Sequence, residues 1–189
     1  MNKLGYYQGY MDKEAKVLKP GIYMGSRDVK GSPIGRHQFF TLIPKNPKKF
    51  KRNALRNLGG GNKGIILSAF NKGGFLTASK NYKADIKALS GRFKGKNIAN
   101  TELQKLWFKD RRIDRVIKKA LKKGNNFWSN ARNLPIKYPT LGLGINSNTF
   151  AQTLKRVIKG KSYKDFSGFN IGEDEKLPED LFNKKVKVI

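Results

Sequence analysis

Two short segments hold the residues whose types could do chemistry together. The first is Gly35-Arg36-His37-Gln38-Phe39-Phe40, which contains the only histidine of the 189 residues. The second is Asn146-Ser147-Asn148-Thr149-Phe150, where a hydroxyl stands at the start of an apolar-periodic run. Imidazole can act as a general base near neutral pH, and a serine it deprotonates becomes a nucleophile. A helix N-terminus adds unpaired N–H groups and partial positive charge, which favour a developing oxyanion. The same residue types have a plainer use, because Asn, Ser and Thr are the ordinary helix N-caps. With no cysteine and one histidine, disulfides, thiolate zinc sites, iron–sulfur clusters and histidine-rich metal sites are excluded, and no cofactor is implied.

Positioning these two segments requires a strand and a helix. The run Arg36–Ile43 is rich in β-formers and ends at Pro44, so it reads as a strand with His37 near its start. A short strand at 22–24 precedes it, within a glycine-rich loop spanning 21–33. Strands at 64–70 and 74–79, separated by Asn71-Lys72-Gly73, read as a hairpin that completes a small antiparallel sheet. A short helix is expected at 11–18 and another over Ala84, Ile86, Leu89 and Phe93. The strongest helical periodicity covers 102–123, through Leu103, Leu106, Trp107, Ile113, Val116, Ile117, Ala120 and Leu121. Thr101 with Gln104 would cap that helix and Gly124 would end it, leaving 124–145 as loop. A last helix fits 148–159, with Phe150, Leu154, Val157 and Ile158 on its core face. The expected class is therefore α+β, a small antiparallel sheet packed on helices in a single domain. Residues 1–33 form an N-terminal extension, 34–80 the sheet with His37, 81–135 a basic helical insert, and 136–189 the nucleophile-like helix and tail.

The charge points elsewhere. Lysine and arginine number 41 against 13 acids, a formal net charge of +28. Such a field attracts polyanions: DNA, RNA, an anionic membrane or an acidic partner protein. The clustered candidates are Lys48, Lys49, Lys51 and Arg52 in the basic loop 44–63, and Arg111, Arg112, Arg115, Lys118, Lys119, Lys122 and Lys123 on the long helix. Binding of that kind is driven by the phosphate backbone and is salt-sensitive. Trp128, Phe127, Tyr138 and Tyr82 could stack on bases or serve as core. Gly59-Gly60-Gly61-Asn62-Lys63 lacks the Walker spacing and reads as a flexible turn. No apolar run reaches membrane-spanning length and no secretory leader is evident, so a cytoplasmic or virion-associated protein is expected. Two settings fit the charge, a phage protein carried with DNA and an antibacterial toxin neutralised by an acidic immunity protein.

The order of motifs carries a resemblance. A Gly-x-His-x-Phe strand, a hairpin, a helical insert and then Asn-x-Asn-Thr-Phe-x-x-x-Leu on a helix resemble the circularly permuted papain-like group, which includes NlpC-type and lecithin:retinol acyltransferase-like proteins. The resemblance covers roughly residues 34–80 and 140–182 and extends to Gly160 and Asp165-Phe166-Ser167-Gly168-Phe169, similar to the tails of some phage-associated members. It implies a base at His37 and a nucleophile at Ser147, with Asn146 and Phe150 at the flanking motif positions. The family uses a thiol there, so the serine implies a serine-dependent variant or an inactive descendant that binds. The resemblance implies attack on an amide, ester or thioester. It also implies a third polar residue that orients the histidine, for which Ser68, Asn71 and Thr77 are candidates. Asn148 is a candidate for polarising the site or capping the helix.

Overall fold

A computed structural model of the chain describes residues 17–30, 35–96, 99–139, 144–162, 166, 171–172 and 174–183. The helix expected at 11–18 and the Asp165–Phe169 segment fall outside them, Val17, Leu18 and Phe166 excepted. The architecture is α+β: an open antiparallel sheet of six strands with three α-helices. The strands are β1 (Gly21–Asp28), β2 (Arg36–Ile43), β3 (Arg56–Gly59), β4 (Asn62–Lys72), β5 (Phe75–Lys80) and β6 (Glu102–Lys105). The helices are α1 (Lys83–Phe93), α2 (Ile113–Asn133) and α3 (Ser147–Val157). The sheet order is β3-β4-β2-β1-β6, and β5 pairs with β4 beyond β3. The segment 1–33, expected as an extension, thus contributes β1, a strand inside the sheet.

Side-chain alternation on β2 sorts two cores onto opposite faces of the sheet. Phe40 and Leu42 join Ile22, Met24, Ile65 and Leu67 beneath α2 and α3, whose Val116, Ile117, Phe150 and Leu154 are buried there. Phe39 and Ile43 join Tyr23, Leu58 and Ile66 on the other face, against Leu89 and Phe93 of α1. Every residue of β2 is buried, as expected for a central strand covered on both faces.

The β4–β5 hairpin turns at Gly73-Gly74, with φ of 61° and 83°, one residue later than the sequence suggests. Two consecutive positive φ values suit a two-residue hairpin turn, which glycine supplies without strain. The triple glycine 59–61 is likewise a turn, joining β3 to β4, with positive φ at all three residues.

The helix expected over 102–123 is corrected at both ends. Residues 102–105 form β6, antiparallel to β1. Leu103 packs with the α1-side core and Leu106 with the opposite core, so a spacing of three that mimics a helical face is here a strand's alternation. Thr101 caps nothing; it is buried, and its carbonyl accepts from Arg92 Nη1 at 2.6 Å. At the other end α2 runs through Gly124 to Asn133. A Cβ at Gly124 would lie 2.8 Å from Leu67 Cδ2, so this glycine serves close helix-to-sheet approach. The expected loop 124–145 is therefore helical for its first ten residues.

Candidate active site

The nucleophile-like segment folds as a capped helix start. Asn146 is the N-cap of α3 in a capping box with Thr149: its side chain accepts from the backbone N of Asn148 (2.8 Å) and Thr149 (3.3 Å), and Thr149 Oγ1 accepts from Asn146 N (3.1 Å). Ser147 is the first helical residue, and the capping box occupies the N–H groups of Asn146, Asn148 and Thr149 around it.

Asn148 does not cap the helix; its carboxamide ties α3 to β2. Oδ1 accepts from Gln38 N at 2.8 Å, and Nδ2 donates to Arg36 O at 2.9 Å. The reason lies in the sheet register. β4 pairs with β2 only between Phe39 and Leu42, so among the described residues no strand pairs with residues 36–38 on that side. One carboxamide supplies the donor and the acceptor that a neighbouring peptide would. The residues flanking His37 are thus bonded to the residue that follows Ser147. Farther along α3, Gln152 Nε2 donates to Gln38 Oε1 at 3.0 Å and continues the seam.

His37 itself faces α1. Its Nε2 lies 3.2 Å from Asp85 Oδ1 and 3.3 Å from Oδ2, and its ring stacks on Phe39 with centroids 6.1 Å apart. Asp85 is fully buried in the first turn of α1 and also takes Arg27 Nε at 2.8 Å from β1. Burial pushes the Asp85 carboxyl up, but the adjacent His37 and Arg27 outweigh it and hold the group below its ordinary range. An ionised Asp85 accepts from Nε2–H, and whenever the ring is neutral Nδ1 is then its acceptor.

Ser147 and His37 are 4% and 5% exposed. No described hydrogen bond joins Ser147 Oγ to the imidazole; the two segments are joined through Asn148. Residues 171 and 172 cross the N-terminus of α3. Ile171 O accepts from Asn146 Nδ2 (2.8 Å) and Asn148 Nδ2 (3.0 Å), and Gly172 O accepts from Thr149 Oγ1 (2.8 Å).

The orienting candidates read from the sequence are placed as follows. Ser68 is buried on β4 opposite Phe39, and its hydroxyl has no described partner. Asn71 Oδ1 accepts from Gly74 N at 2.9 Å in the hairpin turn, and Thr77 is on β5. The group beside the imidazole is Asp85, on a helix. In sequence it looked like any acid in a helix's first turn; what marks it is burial, which local pattern does not reveal.

The basic candidates divide. Lys48 and Lys49 lie in a single 3-10 turn (Pro47–Lys49), and Lys51 and Arg52 follow it, all exposed. Arg111 and Arg112 precede α2, and Arg115, Lys118, Lys119 and Lys122 stand exposed on it. Lys123 departs from this set: it is half-buried, and its Nζ donates to Asn183 Oδ1 at 2.5 Å. Of the aromatic candidates, Phe127 is core, Tyr138 packs against the core, and Tyr82 stacks on Phe70 at 4.4 Å. Trp128 is 44% exposed beneath the Arg132 guanidinium, 4.9 Å from its ring centroid.

No family model, curated protein or solved structure matches the chain. Among the described residues no helix is long and apolar enough to cross a membrane, and no group of three acids or histidines could hold a metal ion.

Proposed function

We propose that this chain is a hydrolase or acyltransferase-like protein of permuted papain-like topology, with His37 as base, Ser147 as nucleophile and Asp85 as the residue that orients the imidazole. The observation that carries this reading is the carboxamide of Asn148. It fixes the N-terminus of α3 to both residues flanking His37, while Asp85 holds the opposite ring nitrogen. α3 lies on one face of the sheet and Asp85 on the other, so on this reading Nδ1 of His37 takes the Ser147 proton only after the two side chains close past the end of the β2–β4 pairing. The backbone N–H of Ser147 and the partial positive charge at the start of α3 receive the oxyanion. Substrate reaches the buried pair when residues 171–172 shift from the helix end. The substrate class is an amide, ester or thioester.

A fluorophosphonate probe with mass-spectrometric mapping tests this. Labelling at Ser147, lost in Ser147→Ala and His37→Ala variants that retain wild-type circular dichroism, supports the reading. A folded wild-type chain that neither labels at Ser147 nor hydrolyses an activated ester refutes it.

A second reading, a non-catalytic polyanion-binding protein, draws support from one arrangement. The basic loop is fastened to α2: Asp114 accepts from Lys45 N at 2.7 Å and Asn46 N at 3.1 Å. Two basic segments distant in sequence thereby form one surface, on which DNA, RNA or an acidic protein would bind. On this reading a phage virion protein is the natural setting; on the first, a phage-associated or antibacterial effector is.

A further inference from the structure

The fastened loop and the start of α2 enclose an open cleft of about 640 Å³, lined by Lys45, Asn46, Pro47, Lys48, Lys49 and Asp114. Asp114 is its one acid, and both carboxylate oxygens are taken by backbone N–H groups of the loop. The neighbouring Asp110 is held by Arg112 Nε at 3.0 Å. Arg112 thus offsets Asp110, while Asp114 keeps its charge and offsets one of the three lining lysines, which leaves the cleft net positive. Lys118 and Lys122 extend the cleft along the helix, at successive steps of four residues from Asp114. Lys118 Nζ also lies 5.9 Å from the Phe50 ring centroid, which places it against the loop.

We infer that this cleft is a binding site for the phosphate backbone of nucleic acid. The discrimination rests on what the cleft presents. A stable protein interface has an apolar centre with aromatic anchors, and a membrane-surface site inserts apolar side chains. Among the described residues the exposed large hydrophobics are Val17, Val29, Phe75, Trp107, Trp128 and Leu134, and none lines the cleft. Trp128, the one among them on α2, is ten residues beyond Lys118, about 15 Å along the axis. What remains is a concave array of exposed lysines, suited to phosphates and without a base-reading element. Binding is therefore sequence-independent and strongly salt-dependent.

This inference rests on the polyanion-binding reading, and one experiment separates the two. Fluorescence anisotropy with a short mixed-sequence DNA duplex, titrated over a range of salt, gives the slope of log affinity against log salt. The cleft variant carries Lys48→Gln, Lys118→Gln and Lys122→Gln. The control carries Lys83→Gln, Lys87→Gln and Lys94→Gln, three exposed lysines of α1 and its C-cap, on the opposite face of the sheet. Each phosphate contact adds about 0.9 to the slope, so the cleft variant should lose about 2.7 and the control less than about 1. Equal losses in both variants overturn the cleft while leaving polyanion binding standing. A wild-type chain that binds no duplex, whether or not it binds anionic vesicles, overturns the inference; if it binds neither, the polyanion reading falls with it.

Discussion

Replacing Asn148 by alanine should destabilise the protein more than replacing the N-cap Asn146, against the ordinary expectation that the cap matters most. The carboxamide of Asn148 serves three backbone groups: Gln38 N at 2.8 Å, Arg36 O at 2.9 Å and Ile171 O at 3.0 Å. Asn148 and Gln38 are 1% and 0% exposed, so solvent does not readily replace the lost partners. Ile171 O keeps Asn146 Nδ2 at 2.8 Å, so Gln38 N and Arg36 O are the groups that lose their partner, and at about 1–2 kcal/mol each Asn148→Ala costs about 2–4 kcal/mol. Asn146→Ala, losing a cap, costs about 1–2 kcal/mol. Asn148→Asp supplies a sharper test. It keeps the acceptor for Gln38 N but sets a carboxylate oxygen against two carbonyls. Its folded-state pKa is thereby raised, so stability lost at neutral pH returns as pH falls through that value. Urea unfolding followed by circular dichroism measures all three. A cost below about 1 kcal/mol for Asn148→Ala, or an Asn148→Asp variant as stable as wild type at neutral pH, would refute the claim that this side chain fastens α3 beside His37.

Two further predictions come from the interior. Asp85 has a folded pKa held below its unfolded value near about 3.9, so its contribution is present above that value and lost as pH falls through the folded one. Asp85→Asn should cost about 3 kcal/mol at neutral pH by stranding the largely buried Arg27, and should flatten acid denaturation; unchanged acid unfolding in the variant would count against the ion pair. Gly124→Ala gains up to about 1 kcal/mol of helix propensity, but its Cβ would meet Leu67 Cδ2 at 2.8 Å. Overpacking of about 2 kcal/mol should win, for a net loss of about 1 kcal/mol by thermal unfolding, and a stabilised variant would show that the helix-to-sheet contact yields.

The sequence makes some of this legible, for reasons that differ by element. β2 is legible because Phe39-Phe40-Thr41-Leu42-Ile43 is rich in β-formers and stops at Pro44. α1 and α3 are read because amphipathic spacing and turn residues agree. β6 is misread because Leu103 and Leu106 match helical spacing while serving opposite faces of a strand, and four residues cannot distinguish the two periods. The length of α2 is misread because Gly124 looks like a terminator, whereas its meaning depends on Leu67, which is far away in sequence. The nucleophile segment is visible as a motif, but Asp85 is not. Its significance comes from being opposite His37 and Arg27 across the α1 face, and one-dimensional pattern carries no such pairing.

The two candidate functions occupy different elements, and the forces behind them differ in range. The His37 site depends on short-range contacts: a carboxylate within 3.3 Å of the ring and a carboxamide spanning a gap where one strand has lost its neighbour. Such contacts are buried and little affected by salt. The lysine cleft depends on summed charge, which salt screens within about 8–10 Å, and on one buttress, Asp114, that keeps the loop on the helix. The net charge of +28 destabilises the compact state through self-repulsion. The chain nevertheless keeps most of its described lysines exposed and sets its buried Asp85 against a histidine, so its charges are divided by location. The interior carboxylate is paired within the fold, and the cations of the basic loop and α2 stand mostly exposed on the surface.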